Sequence, residues 1–270
     1  MAGPFDPQNY YNTLTQLYSS LFGRNWHLGY WLNASTFAEA GQRLNTAMIT
    51  RLRAGATDTV VDVGCGVGGP ACDIAAATGA TVVGISNSAK GIENATAYAT
   101  ERGLANRVRF ELGDALELPF KDASVDAVFS CEAVHNVVDK APLARELARV
   151  LKPGGRMVVG DLFLLRPLSQ LQVAADKLKG FSFHLFEADE WISLLEQNGV
   201  RVSDSVNIGH HVGPKSFEHC TSVCLQQATR APQGSLEHII LTRTAEATTL
   251  LGEGFRSGDL GWGIWSGAKQ

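Results

Sequence analysis

The feature that most constrains this chain is a β-branched run that breaks into a glycine turn. Thr59-Val60-Val61-Asp62-Val63 is followed directly by Gly64-Cys65-Gly66-Val67-Gly68-Gly69. Such a run reads as a short buried strand, and the glycines force a tight turn into a helix expected from about residue 69. Missing side chains let a ligand approach the backbone there, and helix N–H groups point outward at a polar or anionic group. Dinucleotide enzymes use a similar turn, so the surrounding sequence has to discriminate.

Strand and helix patterns alternate from this point. Strands are expected at 80–85, 107–112, 124–130 and 156–161. One helix ends near Gly103 and another covers 142–151, stopped by Lys152-Pro153-Gly154-Gly155. After an irregular stretch at 163–186, a helix (188–198) and a strand (200–208) restore the rhythm. Two helices then fall within 214–252, ahead of a last strand at 261–266. Alternation of this kind predicts a parallel sheet with helices on both faces.

Upstream, Tyr10, Leu14, Leu17, Tyr18 and Leu21 form a helical apolar stripe that Gly23 ends, and a dense aromatic loop occupies 26–31. A second helix opens on the capping pattern Thr36-x-x-Glu39 and buries Leu44, Met48, Ile49 and Leu52. The reading is one domain over 1–270 with a core at 58–161. The additions at 1–35, 163–186 and 210–255 cover the C-terminal ends of the strands, where they build a substrate pocket.

Composition narrows the class. With 45% hydrophobic and 19% charged residues in 270, the chain fills a core, and a net charge of −4 gives nucleic-acid binding no support. No charged-then-apolar leader and no run of 18 apolar residues is present, which points to a cytoplasmic protein with no membrane association. The five cysteines read as reduced thiols, and His219, Cys220 and Cys224 read as a helix packing face. No metal is expected. His184, His210 and His211 could line the pocket or bind a metal, and the expected reading for each is a solvated or capping residue.

Three downstream features separate this turn from a nicotinamide site. They are Phe110-Glu111-Leu112-Gly113-Asp114-Ala115 before Leu118-Pro119-Phe120, then Phe120-x-Asp122-x-Ser124-x-Asp126, then Val150-Leu151-Lys152-Pro153-Gly154-Gly155. In this order and spacing they resemble the class I S-adenosylmethionine-dependent methyltransferases across 58–161. The likeness extends through Tyr11, Gly23-x-Asn25-x-His27-x-Gly29-Tyr30-Trp31, the His135 loop and Asp161. There it is similar to the rebeccamycin sugar O-methyltransferase group of bacterial natural-product biosynthesis.

The resemblance implies a Rossmann-like α/β fold: a seven-stranded, mostly parallel sheet, an N-terminal helical lid, and an α-helical insertion before the last strand. It implies S-adenosyl-L-methionine as cofactor, with Asp114 accepting from the adenine amino group and the Ala115 backbone reading the ring. The lid role falls to Tyr11, Tyr30 and Trp31. Many relatives bind the ribose through a carboxylate after the second strand. This chain has Ser86-Asn87-Ser88 there, so Ser86 and Asn87 supply neutral hydrogen bonds instead. The full set of expected cofactor contacts is Tyr11, Tyr30, Asp62, Gly64, Cys65, Gly66, Ser86, Asn87, Asp114, Ala115 and Glu132.

For a hydroxyl acceptor the protein must align the reactants and remove a proton. The resemblance gives those roles to His135 as base and Asp161 as helper, with Asn136 standing where the family has a second histidine. The expected reaction is methyl transfer to a hydroxyl oxygen of a small natural product. One alternative is carbon methylation of an isoprenoid alkene, with Phe181, Phe183 and Phe186 facing the cation. Another is a methyltransferase-like cyclase that keeps the cofactor as a structural ligand. A homo-oligomer is open, because an aromatic N-terminal segment is suited to exchange between subunits.

Overall fold

A computed structural model describes residues 15, 17–19, 22–166 and 183–270. Its centre is a seven-stranded sheet of order β3-β2-β1-β4-β5-β7-β6. The strands are β1 (Thr59–Val63), β2 (Thr81–Ser86), β3 (Val108–Leu112), β4 (Val125–Cys131), β5 (Leu151–Leu164), β6 (Val200–Asn207) and β7 (Leu260–Lys269). The pairings β2–β3, β1–β2, β1–β4 and β4–β5 are parallel, and β7 runs antiparallel to both β5 and β6. The Rossmann-like sheet expected from the alternation is therefore present.

Period-two alternation decides which residues face which helices. Val60, Val82, Phe129, Val158 and Ile264 share one face with Leu44, Met48 and Leu52 of α1 (Phe37–Leu52) and Ile74 of α2 (Gly69–Thr78). Val61, Val83, Val128, Val159 and Trp265 take the other face. There they meet Leu143 and Leu147 of α4 (Lys140–Val150) and Trp191 and Leu195 of α5 (Ala188–Gln197). Between β2 and β3 runs α3 (Ala89–Glu101). The capping pattern before α1 forms as read: Thr36 Oγ1 accepts from Glu39 N at 3.2 Å, and Glu39 Oε2 accepts from Ser35 N at 2.8 Å.

Two long helices, α6 (Gly209–Ala228) and α7 (Leu236–Ser257), stand between β6 and β7. His210 and His211 lie in the first turn of α6, directly after β6, and Pro214 is carried inside the helix. Cys220 and Cys224 are buried on its packing face, as the spacing implied. The described part of the N-terminal stripe packs here too. Leu17 and Phe22 meet the cluster of Cys224, Ala228, Leu241 and Ala245, and the Tyr18 hydroxyl lies 3.0 Å from Thr244 Oγ1. Tyr10 and Tyr11 lie outside the described residues.

The structure corrects the course of β5. The Pro-Gly-Gly stretch ends α4 but does not interrupt the strand. It forms an irregularity in the β4 pairing, between Val125↔Leu151 and Ala127↔Arg156. Nor does the strand close at Asp161. Pairing with β4 stops at Cys131↔Gly160, whereas β7 continues alongside through Leu164↔Leu260. Phe163 is consequently core, against Trp265, and Phe186 is buried between Trp191 and Trp265. Of the three aromatics expected to face a substrate cation, Phe186 is core, Phe183 is half-exposed, and Phe181 lies outside the described residues.

Candidate active site

The sheet reverses its strand order at β1, which pairs with β2 on one side and β4 on the other. The crevice outside the strands' carboxyl ends at such a point is where open α/β sheets take ligands. Along that edge, Val63 pairs with Ile85 and Ser86 with Leu112. The register thus sets the glycine turn, Ser86-Asn87 and Asp114-Ala115 side by side in strand order.

Gly64 N and Cys65 N both donate to Ile85 O, at 2.9 and 3.0 Å, and Gly68 N donates to Cys65 O at 2.9 Å. A Cβ at Gly64 would stand 2.3 Å from the Ala133 Cβ, so the turn is pressed against the segment after β4. Gly66 differs: its φ is +53° and a Cβ there meets nothing within 4 Å. Among the three glycines of the G-x-G-x-G turn, only Gly66 has free space in its Cβ direction. The Cys65 side chain is buried, its N–H is bonded to β2 and its carbonyl to Gly68 N, so the residue shapes the loop.

Asp62 sits at the foot of the turn, 1% exposed, with Oδ2 lacking any hydrogen-bond partner. Burial pushes its pKa up to about 7. An orphaned buried carboxylate oxygen below an open glycine cradle fits a ligand that brings a cationic N–H group. Ser86 is buried, its hydroxyl accepting from Ser88 N at 3.2 Å, while Asn87 is exposed. Asp114 is exposed on its loop, with Oδ1 accepting from Leu116 N at 2.9 Å. Leu112 and Leu116 flank it with apolar side chains left in solvent, 62% and 40% exposed. Apolar walls beside a carboxylate suit a flat ring carrying an amino group.

At the other side of the crevice, Asp161 is fully buried and makes three hydrogen bonds. Oδ1 lies 2.7 Å from His135 Nδ1 and accepts from Leu162 N at 2.7 Å, and Oδ2 accepts from His135 N at 3.1 Å. His135 sits in a 3-10 turn (Val134–Asn136) directly after β4, and its ring stacks on Phe183 at 4.9 Å. Burial lowers the imidazole pKa, but the Asp161 carboxylate, in charge and hydrogen bond, and the charge of Glu132 outweigh it, so the net shift is upward. With Nδ1 engaged by Asp161, Nε2 is the nitrogen available to a substrate. Asn136 is exposed and takes no part in this pair.

Two supporting residues carried no sequence signal. Lys140 Nζ donates to the carbonyls of Val137 and His184, and His184 N donates to His135 O at 2.7 Å, so the 183–184 strip is tied to the His135 turn. Burial pushes the Lys140 pKa down to about 8. Ser216, fully buried on α6, accepts from Gly29 N at 3.0 Å and Trp31 Nε1 at 2.8 Å. With Tyr30 N donating to Ala40 O and Trp31 N to His211 O, both at 2.9 Å, these bonds hold residues 29–31 between α1 and α6. The Tyr30 ring meets His211 edge-on at 5.6 Å. Glu132, expected to touch the cofactor, is bonded within the protein: Oε1 accepts from Leu28 N at 3.0 Å and Trp262 Nε1 at 2.8 Å. No group of metal-binding side chains occurs among the described residues.

A Rossmann-like sheet of this order, an open glycine cradle over an orphaned carboxylate, and a buried His–Asp pair across the crevice define a class I S-adenosylmethionine-dependent methyltransferase. The comparisons agree. Residues 61–159 match the family model described as a methyltransferase domain. Methyltransferase GfsG of Streptomyces halstedii is 35% identical over 214 residues, 76% of each chain. The 27-O-demethylrifamycin SV methyltransferase of Amycolatopsis mediterranei is 35% identical over 208 residues, again 76% of each. In fold, the crystal structure of the cyclase SpnF superposes with a TM-score of 0.81 at 24% identity, covering 97% of this chain and 94% of that one. The chain belongs to the class I S-adenosylmethionine-dependent methyltransferases.

Proposed function

We propose that this methyltransferase acts on a hydroxyl oxygen of a bacterial natural product, with His135 as general base and Asp161 holding it. The observation that carries the reading is the 2.7 Å Asp161–His135 contact, which leaves imidazole Nε2 to receive a proton. Support comes from the rifamycin relative, whose name describes methylation at an oxygen.

When bound, S-adenosylmethionine supplies a methyl group already activated by the sulfonium. Asp62 would hold the amino-acid end through its orphaned oxygen, and Gly64 and Gly66 would give it backbone clearance. Ser86 and Asn87 would bond the ribose, and Asp114 with the Ala115 backbone would hold the adenine. Residues 27–31 would cover the crevice and exclude water, with Tyr30 packed edge-on against His211. Phe183 sets the plane of the His135 ring.

Turnover tests this. Hydroxylated natural products, starting with 27-O-demethylrifamycin SV, are incubated with the enzyme and labelled cofactor. S-adenosylhomocysteine should form, and NMR should place the new methyl on oxygen. A methyl on carbon would favour alkene methylation. Conversion of a substrate without S-adenosylhomocysteine would make the protein a cyclase that retains its cofactor.

A further inference from the structure

Glu132 has a backbone that its neighbours must hold in place. It follows β4 at φ +52°, a left-handed conformation that costs a non-glycine residue of order 1 kcal/mol. Glu132 N–H donates to Gly160 O at 2.8 Å, which anchors the main chain to β5. The conformation sends the carboxylate to Leu28 N, in the N-terminal segment, and to the indole N–H of Trp262, on β7. Three segments far apart in sequence therefore meet on one carboxylate oxygen.

The groups facing that carboxylate are Asp161 of β5, the His135 imidazole three residues on, and the thiols of Cys131 and Cys220. Apart from His135, no cation is among them. Burial first, then the charge of Asp161, pushes the Glu132 pKa up to about 7.

We propose that Glu132 is a positioning residue: one carboxylate seats residues 27–31 against β7 and places its negative charge beside the His135–Asp161 pair. In this reading it acts through these groups and not as a cofactor contact. The seating part stands independently; the charge part rests on His135 being the base.

Two substitutions separate the parts. Glu132→Gln keeps an oxygen that accepts from Leu28 N and Trp262 Nε1 but removes the charge. Glu132→Ala removes both. Affinity for S-adenosylhomocysteine by calorimetry, hydrogen exchange in residues 27–31, and the pH–rate profile are measured for each. The glutamine variant should bind within about three-fold of the parent, as neutral bonds replace charge-assisted ones. Its rate profile should shift to lower pH, because less negative charge holds the His135 proton. The alanine variant should bind about tenfold or more weakly, with faster exchange in 27–31. Unchanged exchange and affinity in the alanine variant would overturn the seating role. Equal loss of affinity in both variants would mean that the charge itself binds cofactor, which also overturns it. An unmoved profile in the glutamine variant, with affinity retained, would overturn the charge role while leaving the seating role standing.

Discussion

Asp161 grips His135 at two points: one carboxylate oxygen lies 2.7 Å from the ring Nδ1, and the other accepts from the His135 backbone N–H at 3.1 Å. Tautomer, ring orientation and turn conformation are thereby set by a single buried side chain. His135→Ala should lower kcat by about 10²–10⁴ and leave cofactor affinity near that of the parent. Asp161→Asn should act in the same direction but more weakly. Because the imidazole pKa is raised and the neutral form is the base, the rate should climb with pH through a midpoint above 6.5. A midpoint at or below 6.5, or a His135→Ala enzyme with parental kcat, would remove the histidine from the proton transfer.

Asp62 gives a prediction about stability. Its folded pKa of about 7 lies above the unfolded carboxylate value, so between roughly pH 4 and 7 the folded state binds the extra proton. The side chain therefore costs the ligand-free protein stability progressively as pH rises through that window. At pH 8 the cost reaches up to about 4 kcal/mol. Asp62→Asn should raise the melting temperature of the free protein at pH 8 and bind cofactor more weakly. A variant that melts lower at pH 8 would show that the carboxylate is already satisfied without ligand.

How much of this was legible in sequence follows from how local each signal is. The β1 turn, the α1 cap and the strand alternation were readable because each is set by residues adjacent in the chain. The extent of β5 was not, since its last residues are held by β7, about a hundred residues later, and by the Phe186–Glu187 strip. The place of Cys65 in the glycine turn was readable, but not that Ile85 of β2 holds its N–H. Glu132, Ser216 and Lys140 owe their partners to chain crossings that no spacing encodes. His135 and Asp161 came from the family resemblance, and the structure then placed them in contact.

Ser216 ties residues 29–31 to α6 through two bonds to one buried hydroxyl. Ser216→Ala leaves the Gly29 and Trp31 N–H groups without that acceptor, a loss of about 1–3 kcal/mol. Exchange of the 29–31 amides should accelerate more than that of β1 and β4, as measured by mass spectrometry. Uniform acceleration would mean that the segment opens only with the whole fold.

Asp114→Ala should weaken S-adenosylmethionine and S-adenosylhomocysteine alike, by roughly 1–3 kcal/mol, because the adenine contact is common to both. Titration calorimetry compares the two ligands. A defect confined to turnover would place Asp114 in the chemistry instead.

If the cofactor lies over Gly66, the one glycine of the turn with free space in its Cβ direction, calorimetry with S-adenosylhomocysteine on two alanine variants will show it. Gly64→Ala drives its Cβ to 2.3 Å from Ala133, so it should lower the melting temperature. Gly66→Ala meets nothing within 4 Å in the protein, and its left-handed φ costs only about 1 kcal/mol. Gly66→Ala should therefore remain folded, with a melting temperature close to the parent's, and bind S-adenosylhomocysteine at least about tenfold more weakly. A folded Gly66→Ala protein with parental affinity would contradict the account, because the space over Gly66 would then not be where the cofactor sits.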